Sequence, residues 1–345
     1  MTATVPPSPL LLMPQRQLGI SDLKVSAIGL GAMPMSEFYG PADREASEQT
    51  VRRAVELGVT YFDTAAAFGA EPYGEAANEE FLGQALRGHR DEVVLATKFG
   101  VRRVDGRRVV DNSEEHIRHS IEESLRRLDT ECIDLYYMHR RDPNIPIEET
   151  VGIMAKLVAD GKVRHLGLSE VTGEELREAH AHHPITAVQS EWSLFTRDIE
   201  RGLVPAAAEL GVGVVAYSPL GRGFLTGALP GEFTAGDVRS RFPRFTGENA
   251  RRNTALLHPI TTIAADRGAT PAQVALAWLH QRRTVHRLTV VPIPGTRHPN
   301  RLNENLAALE LTLTADELAL LEPIAAQVTG DRYPDMAETS NAREA

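Results

Sequence analysis

The sequence predicts an α/β fold, a (β/α)8 barrel with long loops on its C-terminal face. Three observations carry this expectation. A pattern of helix, Gly stop and short β-branched run recurs along the chain; eight such apolar runs follow one another; and helix-start signals fall in the gaps between them. The first run is residues 25–29. Glu56-Leu57-Gly58 then leads into residues 59–62, and a third run spans 93–97. The fourth is 133–138, and Asp160-Gly161-Lys162 opens the fifth at 163–168. Residues 187–189 make the sixth, Glu209-Leu210-Gly211 leads into the seventh at 212–217, and 288–293 is the eighth. A Gly just past a helix supplies the left-handed residue that ends it, and each apolar run is long enough only for a buried strand. The runs end near residues 30, 63, 98, 139, 169, 189, 217 and 294, and the first spacings suit one βα unit each.

Helix signals fill the gaps. Ser113, followed by Glu114 and Glu115, is an N-cap ahead of Ile117, Ile121, Leu125 and Leu128 on one face. Thr270-Pro271-Ala272-Gln273 is a capping box with Pro in the first turn, and Thr314 with Glu317 makes a second box. The one long gap holds a Gly/Arg/Pro-rich stretch, 221–253, expected to form a loop over the barrel mouth. Three segments result: a flexible leader at 1–17, a single barrel at 18–328, and a polar tail at 329–345 that is either disordered or a flap over a ligand. A doubly wound sheet is the alternative topology.

Composition excludes several function classes. With 37 Lys and Arg against 47 Asp and Glu, the net charge of −10 argues against nucleic acid or an anionic membrane as partner. A single cysteine, Cys132, rules out an internal disulfide and a Cys-rich zinc site, and points to the cytoplasm. His180, His182 and His183 lie too close together at a helix end to converge on one metal ion. Arg102-Arg103 and Arg107-Arg108 flank Asp105-Gly106, which reads as a charged hairpin tip.

Barrel chemistry gathers at the C-terminal ends of strands, and three titratable residues stand there. Asp63, Lys98 and His139 each close an apolar run. A Lys paired with an Asp stays cationic and lowers the pKa of a nearby phenol; a neutral His hydrogen-bonds a substrate oxygen. Around a Tyr these groups make a site for polarising and protonating a carbonyl.

The segments that hold them are collinear with a known pattern. Asp63-Thr64-Ala65, Lys98-Phe99-Gly100 and Tyr137-Met138-His139-Arg140 resemble the active-site segments of the aldo-keto reductases. So do Gly29-Leu30-Gly31-Ala32-Met33, Gly167-Leu168-Ser169-Glu170, Gln189-Ser190-Glu191-Trp192 and Ala216-Tyr217-Ser218-Pro219-Leu220-Gly221-Arg222-Gly223. Ile293-Pro294-Gly295-Thr296-Arg297 and Arg301-Leu302-Asn303-Glu304-Asn305 complete a match from about Leu18 to about Leu321. The resemblance implies a TIM barrel that binds NADPH without a Rossmann domain; Gly29-Leu30-Gly31 lacks the third Gly of a dinucleotide fingerprint, since Pro34 stands in its place. It also implies a catalytic Asp, Tyr, Lys and His, of which Asp63, Lys98 and His139 carry over directly.

The tyrosine has two counts. Five residues after Asp63, where relatives place Tyr-Gly, stands Phe68-Gly69; ten after it stands Tyr73-Gly74. Counted from the helix that follows, Tyr73 holds the family spacing, as if about five residues were inserted before a rigid helix. Counted from the strand, Phe68 holds it. Tyr73 is taken as the acid, with Phe68, Tyr39 and Met33 lining the substrate pocket. The alternative is that Phe68 fills the slot and the protein is a catalytically weak, cofactor-binding regulatory subunit.

On the cofactor side the resemblance implies that Ser169 and Gln189 bind the nicotinamide carboxamide and that Tyr217 stacks on its ring. Ser218, Leu220 and Arg222 fall in a loop suited to a pyrophosphate. Gly295, Thr296, Arg297 and Arg301 match the 2′-phosphate site, and Glu304 and Asn305 match contacts to adenine. The function implied is NADPH-dependent reduction of a small-molecule aldehyde or ketone, or the reverse oxidation. An aldolase using Lys98 as a Schiff-base nucleophile is a third class, opposed by the nucleotide-site residues. Oligomeric state and the substrate's identity are left open by the sequence.

Overall fold

The computed structural model describes residues 13–36, 38–69, 74, 76–104, 107–230 and 232–344. Eight parallel strands form one sheet: β1 (Leu30–Gly31), β2 (Tyr61–Asp63), β3 (Val94–Phe99), β4 (Ile133–Met138), β5 (Val163–Ser169), β6 (Ala187–Glu191), β7 (Gly213–Tyr217) and β8 (Val290–Pro292). Neighbours in the sheet follow chain order, each strand linked to the next through helical segments on the outside. A parallel bridge between Gly31 and Gly295, with the Gly29 amide donating to the Pro292 carbonyl at 2.9 Å, joins first strand to last. The sheet is a closed (β/α)8 barrel.

The seam explains two glycines. A Cβ on Gly29 would meet the Tyr61 ring at 2.6 Å, and one on Gly31 would meet the Ile293 carbonyl at 3.0 Å. The first strand also corrects the sequence reading, which began it at residue 25. Lys24–Ser26 instead pairs antiparallel with Gln15–Gln17 in a hairpin, and the barrel strand starts at Leu30. Both segments bury apolar side chains, so one apolar run read as one strand. Leu18, Leu23 and Val25 of the hairpin pack on Tyr61, Leu135, Tyr137 and Val291 inside the barrel and plug one end. A larger apolar layer, including Val151, Leu176 and Trp278, lies between sheet and helices.

The helix signals hold. Ser113 Oγ accepts from the His116 amide, and Thr270 and Thr314 each close a full capping box. Gly58, Gly161 and Gly211 have φ of 78°, 73° and 67° after their helices, the left-handed stops expected of them. Among the described residues no helix is long and apolar enough to cross a membrane.

Every loop that matters for the site leaves a C-terminal strand end. After β3 comes an antiparallel hairpin, Val101–Val104 with Arg107–Val110; the tip at Asp105-Gly106 lies outside the described residues. After β7 the chain makes 3-10 turns at Gly221–Thr226, Val238–Arg241 and Pro243–Phe245 before the helix Gly247–Ala255. The segment 329–344 folds back over this face: the Thr329 amide donates to Asn253 Oδ1 at 2.9 Å, and Arg332 pairs with Glu170 at 2.7 Å.

Candidate active site

Strand ends bring Asp63, Lys98 and His139 together. Lys98 Nζ donates to Asp63 Oδ1 at 2.5 Å and to the Thr64 carbonyl at 2.8 Å. From β6, Gln189 Nε2 donates to the other Asp63 oxygen at 2.7 Å, so the carboxylate is gripped on both sides. Burial pushes the Asp63 carboxyl up and the Lys98 ammonium down, and each partner's charge opposes that drift. The short contact and the extra donors favour the charged pair.

His139, just past β4, is held neutral. Burial first, then the positive charges of Arg140, Lys98 and Arg108, bring its imidazole well below the ordinary 6.5. It lines the cavity, and its Nδ1 has no hydrogen-bond partner among the described residues. A neutral imidazole at the wall of a cleft can donate to a substrate oxygen without carrying charge.

Phe68 stands where the two counts disagree. Its ring centroid is 5.3 Å from Lys98 Nζ and 5.6 Å from the His139 ring, edge-on at 89°. Phe68 is part of the cavity wall, and Lys98 sits behind it. Tyr73 lies outside the described residues. Its neighbour Gly74 packs on Gly69: a Cβ on Gly69 would meet the Gly74 carbonyl at 2.3 Å. Gly69 itself lines the cavity, so the chain on either side of 70–73 meets at the edge of the site. Met33 and Tyr39 also line it, with the Tyr39 ring under Arg239 at 4.8 Å.

The cavity measures about 950 Å³ and runs across the strand ends from His139 to Asn305. That is the upper end of the range for ligand pockets, ~300–1,000 Å³. All twelve residues assigned to cofactor binding from the sequence lie on its wall: Ser169, Gln189, Tyr217, Ser218, Leu220, Arg222, Gly295, Thr296, Arg297, Arg301, Glu304 and Asn305. Their side chains are engaged to different degrees. Arg301 is exposed on the helix Pro299–Ala307, with Glu304 and Asn305 one turn further on. Arg297 donates to the carbonyls of Tyr39 and Gly40, both at 3.1 Å, and so ties the loop after β1 to the loop after β8. Arg222 is buried between the rings of Phe242 and Tyr333, at 5.0 and 4.9 Å. Its backbone and that of Gly221 and Gly223 are left-handed, with φ of 56°, 54° and 89°. Two of the three lack a Cβ, which lets a ligand approach the main chain.

Tyr217 ends β7, and its hydroxyl donates to Glu170 Oε1 at 2.8 Å and meets the Tyr333 hydroxyl at 3.0 Å. The tail around Tyr333 is expected from the sequence to bear on substrate choice, whereas Glu170 and Arg332 are given no role there. Glu170 is fully buried, and Arg332 holds both its oxygens, at 3.0 and 2.7 Å. Burial alone would raise this carboxyl; the charges of Arg332 and Arg140 override it and bring the pKa to about 2. The missed signal was available: Glu170 follows an apolar run just as Asp63 does.

Comparison with known proteins agrees with this geometry. The chain is similar to the glycerol dehydrogenase AKR11B4 from Gluconobacter oxydans, at 27% identity over 93% of this chain and 98% of that one, with a TM-score of 0.80. It is also similar to the thermostable aldo-keto reductase Tm1743, seen with the inhibitor epalrestat, at 29% identity over 90% and 100% of the two chains and a TM-score of 0.70. A sequence model described as Aldo/keto reductase family matches residues 27–326. With its closed barrel and its Asp63, Lys98 and His139 at adjacent strand ends, the chain belongs to the aldo/keto reductase family, an oxidoreductase of carbonyl and alcohol groups.

Proposed function

We propose that the protein reduces an aldehyde or ketone with NADPH in the cytoplasm, and runs the reverse oxidation when alcohol and NADP+ are in excess. One observation carries the reading: a buried Asp63–Lys98 pair beside a neutral His139, at one end of a cavity large enough for a dinucleotide. The wall fits that group. Ser169 and Gln189 offer polar atoms for a carboxamide, and Tyr217 an aromatic face. The left-handed turn at Gly221–Gly223 admits a pyrophosphate, while Arg301 and Thr296, with Arg297, would meet a 2′-phosphate. The lone Cys132 suits a reducing compartment.

When bound, NADPH supplies the hydride that reaches the carbonyl carbon. His139 orients the carbonyl through a hydrogen bond from its neutral ring. Tyr73 gives its phenolic proton to the carbonyl oxygen as negative charge builds there. Lys98, kept cationic by Asp63, stabilises the phenolate left behind. Lys98 serves poorly as a Schiff-base nucleophile, which requires a neutral and reachable amine: it is ion-paired and lies behind Phe68.

Phe68 favours a second reading, a cofactor-binding regulatory subunit with little turnover, because an aromatic ring without a proton covers Lys98. Titration with NADPH and NADH, followed by turnover on a panel of aldehydes and ketones, separates the two. The first reading expects NADPH to bind more tightly than NADH and to be oxidised only when a carbonyl is present. Tight NADPH binding with no turnover on any carbonyl establishes the second.

A further inference from the structure

A carboxylate of the protein's own tail already sits at the edge of the reacting centre. Glu338 Oε2 lies 3.0 Å from Arg108 Nη2 and 4.0 Å from Arg140 Nε. Both arginines line the cavity, and they reach it from separate elements: Arg108 from the hairpin after β3, Arg140 from the residue following His139. The Arg140 guanidinium donates to the His139 carbonyl at 2.8 Å, and the charges of Arg140 and Arg108 both act on the His139 ring, so an anion held there is a short spacer away from the imidazole.

Asp63 neutralises Lys98, and Glu170, held by Arg332, also feels the charge of Arg140. Arg140 is buried, its side chain only 7% exposed, and its Nη1 donates to two neutral oxygens, the His139 carbonyl at 2.8 Å and Ser169 Oγ at 3.4 Å. A buried guanidinium is stabilised by an anion at hydrogen-bond distance, and at 4.0 Å Glu338 meets that need only loosely. Arg108 and Glu338 are 40% and 37% exposed, so their pair is screened by solvent and readily exchanged.

We propose that Arg108 and Arg140 form a carboxylate-binding subsite for the substrate. Glu338 holds that subsite in the free chain and yields it to a carbonyl compound bearing a carboxylate on a short spacer. The planar forks of two arginines suit this group, and the pair makes charge a determinant of substrate choice in a protein whose net charge of −10 would otherwise repel anions. The proposal rests on the carbonyl-reductase reading above and names the substrate class for it.

The test compares 2-, 3- and 4-carboxybenzaldehyde with the corresponding carbamoylbenzaldehydes, neutral molecules of nearly the same shape. For at least one ring position, kcat/KM should favour the acid by about tenfold, a preference that Arg108→Gln sharply reduces. Glu338→Gln, which removes the resident carboxylate, should lower KM for the acid severalfold. Equal use of acid and amide at every position, or an unchanged KM in Glu338→Gln, overturns the subsite. Calorimetric titration with benzoate and benzamide needs no turnover and keeps the two ideas apart. Benzoate binding that weakens in Arg108→Gln and tightens in Glu338→Gln, with no carbonyl reduced, refutes the reductase reading and retains the subsite. Turnover of aldehydes without preference for the acid retains the reductase and refutes the subsite.

Discussion

Asp63, Lys98 and His139 at the floor of the cavity hang from three adjacent strands, and backbone register fixes their spacing: Asp63 lies opposite Ala96, and Lys98 opposite Tyr137. Around the rim, Tyr39, Arg108, Arg239 and Tyr333 come from four loop or tail segments. The floor is buried, with the Asp63 carboxylate bonded on both sides; the Arg108–Glu338 contact at the rim is half exposed. A site built this way holds its reacting groups still while leaving the choice of substrate to parts that can shift or mutate at small cost in stability. Glu170 belongs to both, since it follows a barrel strand and anchors Arg332 of the tail.

Damage to the floor should cost the most. In the proposed mechanism Lys98→Met removes the cation that would support the phenolate, and kcat should fall by about 10³-fold with a much smaller change in KM, read from steady-state kinetics. A comparable loss on replacing a rim residue such as Arg239 would erase the distinction between floor and rim.

Next comes the joint between them. Glu170→Gln breaks a buried ion pair and should lower stability near neutral pH by about 3 kcal/mol, measured by urea unfolding. The pH dependence has a definite sign. The folded pKa of about 2 lies below the unfolded 4.5, so this stabilisation is present above 4.5 and is lost as pH falls towards 2. The curves of wild type and variant should therefore converge in acid; a constant gap across that range would mean that Glu170 acts through packing alone.

A third expectation concerns His139. Because its imidazole is held well below 6.5, no loss of kcat/KM from its protonation should appear as pH falls through that value. A clean inflection there, abolished in His139→Gln, would place a titrating imidazole in the site and weaken the picture of a buried, neutral ring. The smallest effect is expected at the rim, where Tyr333→Phe removes one hydrogen bond to Tyr217. NADPH binding should weaken by about threefold, seen in a fluorescence titration.

The same contrast decides what could be read from the sequence. Floor residues are legible because each ends an apolar run, and that signal is local. The seven barrel strands after the first were placed closely for the same reason, whereas the first was not, because the hairpin strand Lys24–Ser26 and β1 are both buried and run together. Rim contacts join residues far apart in the chain, such as Arg332 with Glu170, 162 positions away, and no short pattern marks them. The hairpin after β3 was visible as a charged turn, but its approach to His139 depends on barrel curvature, which single residues do not encode.

Phe68 is where the two kinds of reading meet, a ring without a hydroxyl packed against the floor residues Lys98 and His139. The most direct test is the rate of NADPH oxidation in a single turnover with a good aldehyde substrate, compared between wild type, Tyr73→Phe and Phe68→Tyr. The account predicts a fall of about 10²-fold or more in Tyr73→Phe, and a rate recovered when Phe68→Tyr is added, since that phenol would lie beside Lys98 and His139. A full rate in Tyr73→Phe alone would contradict it.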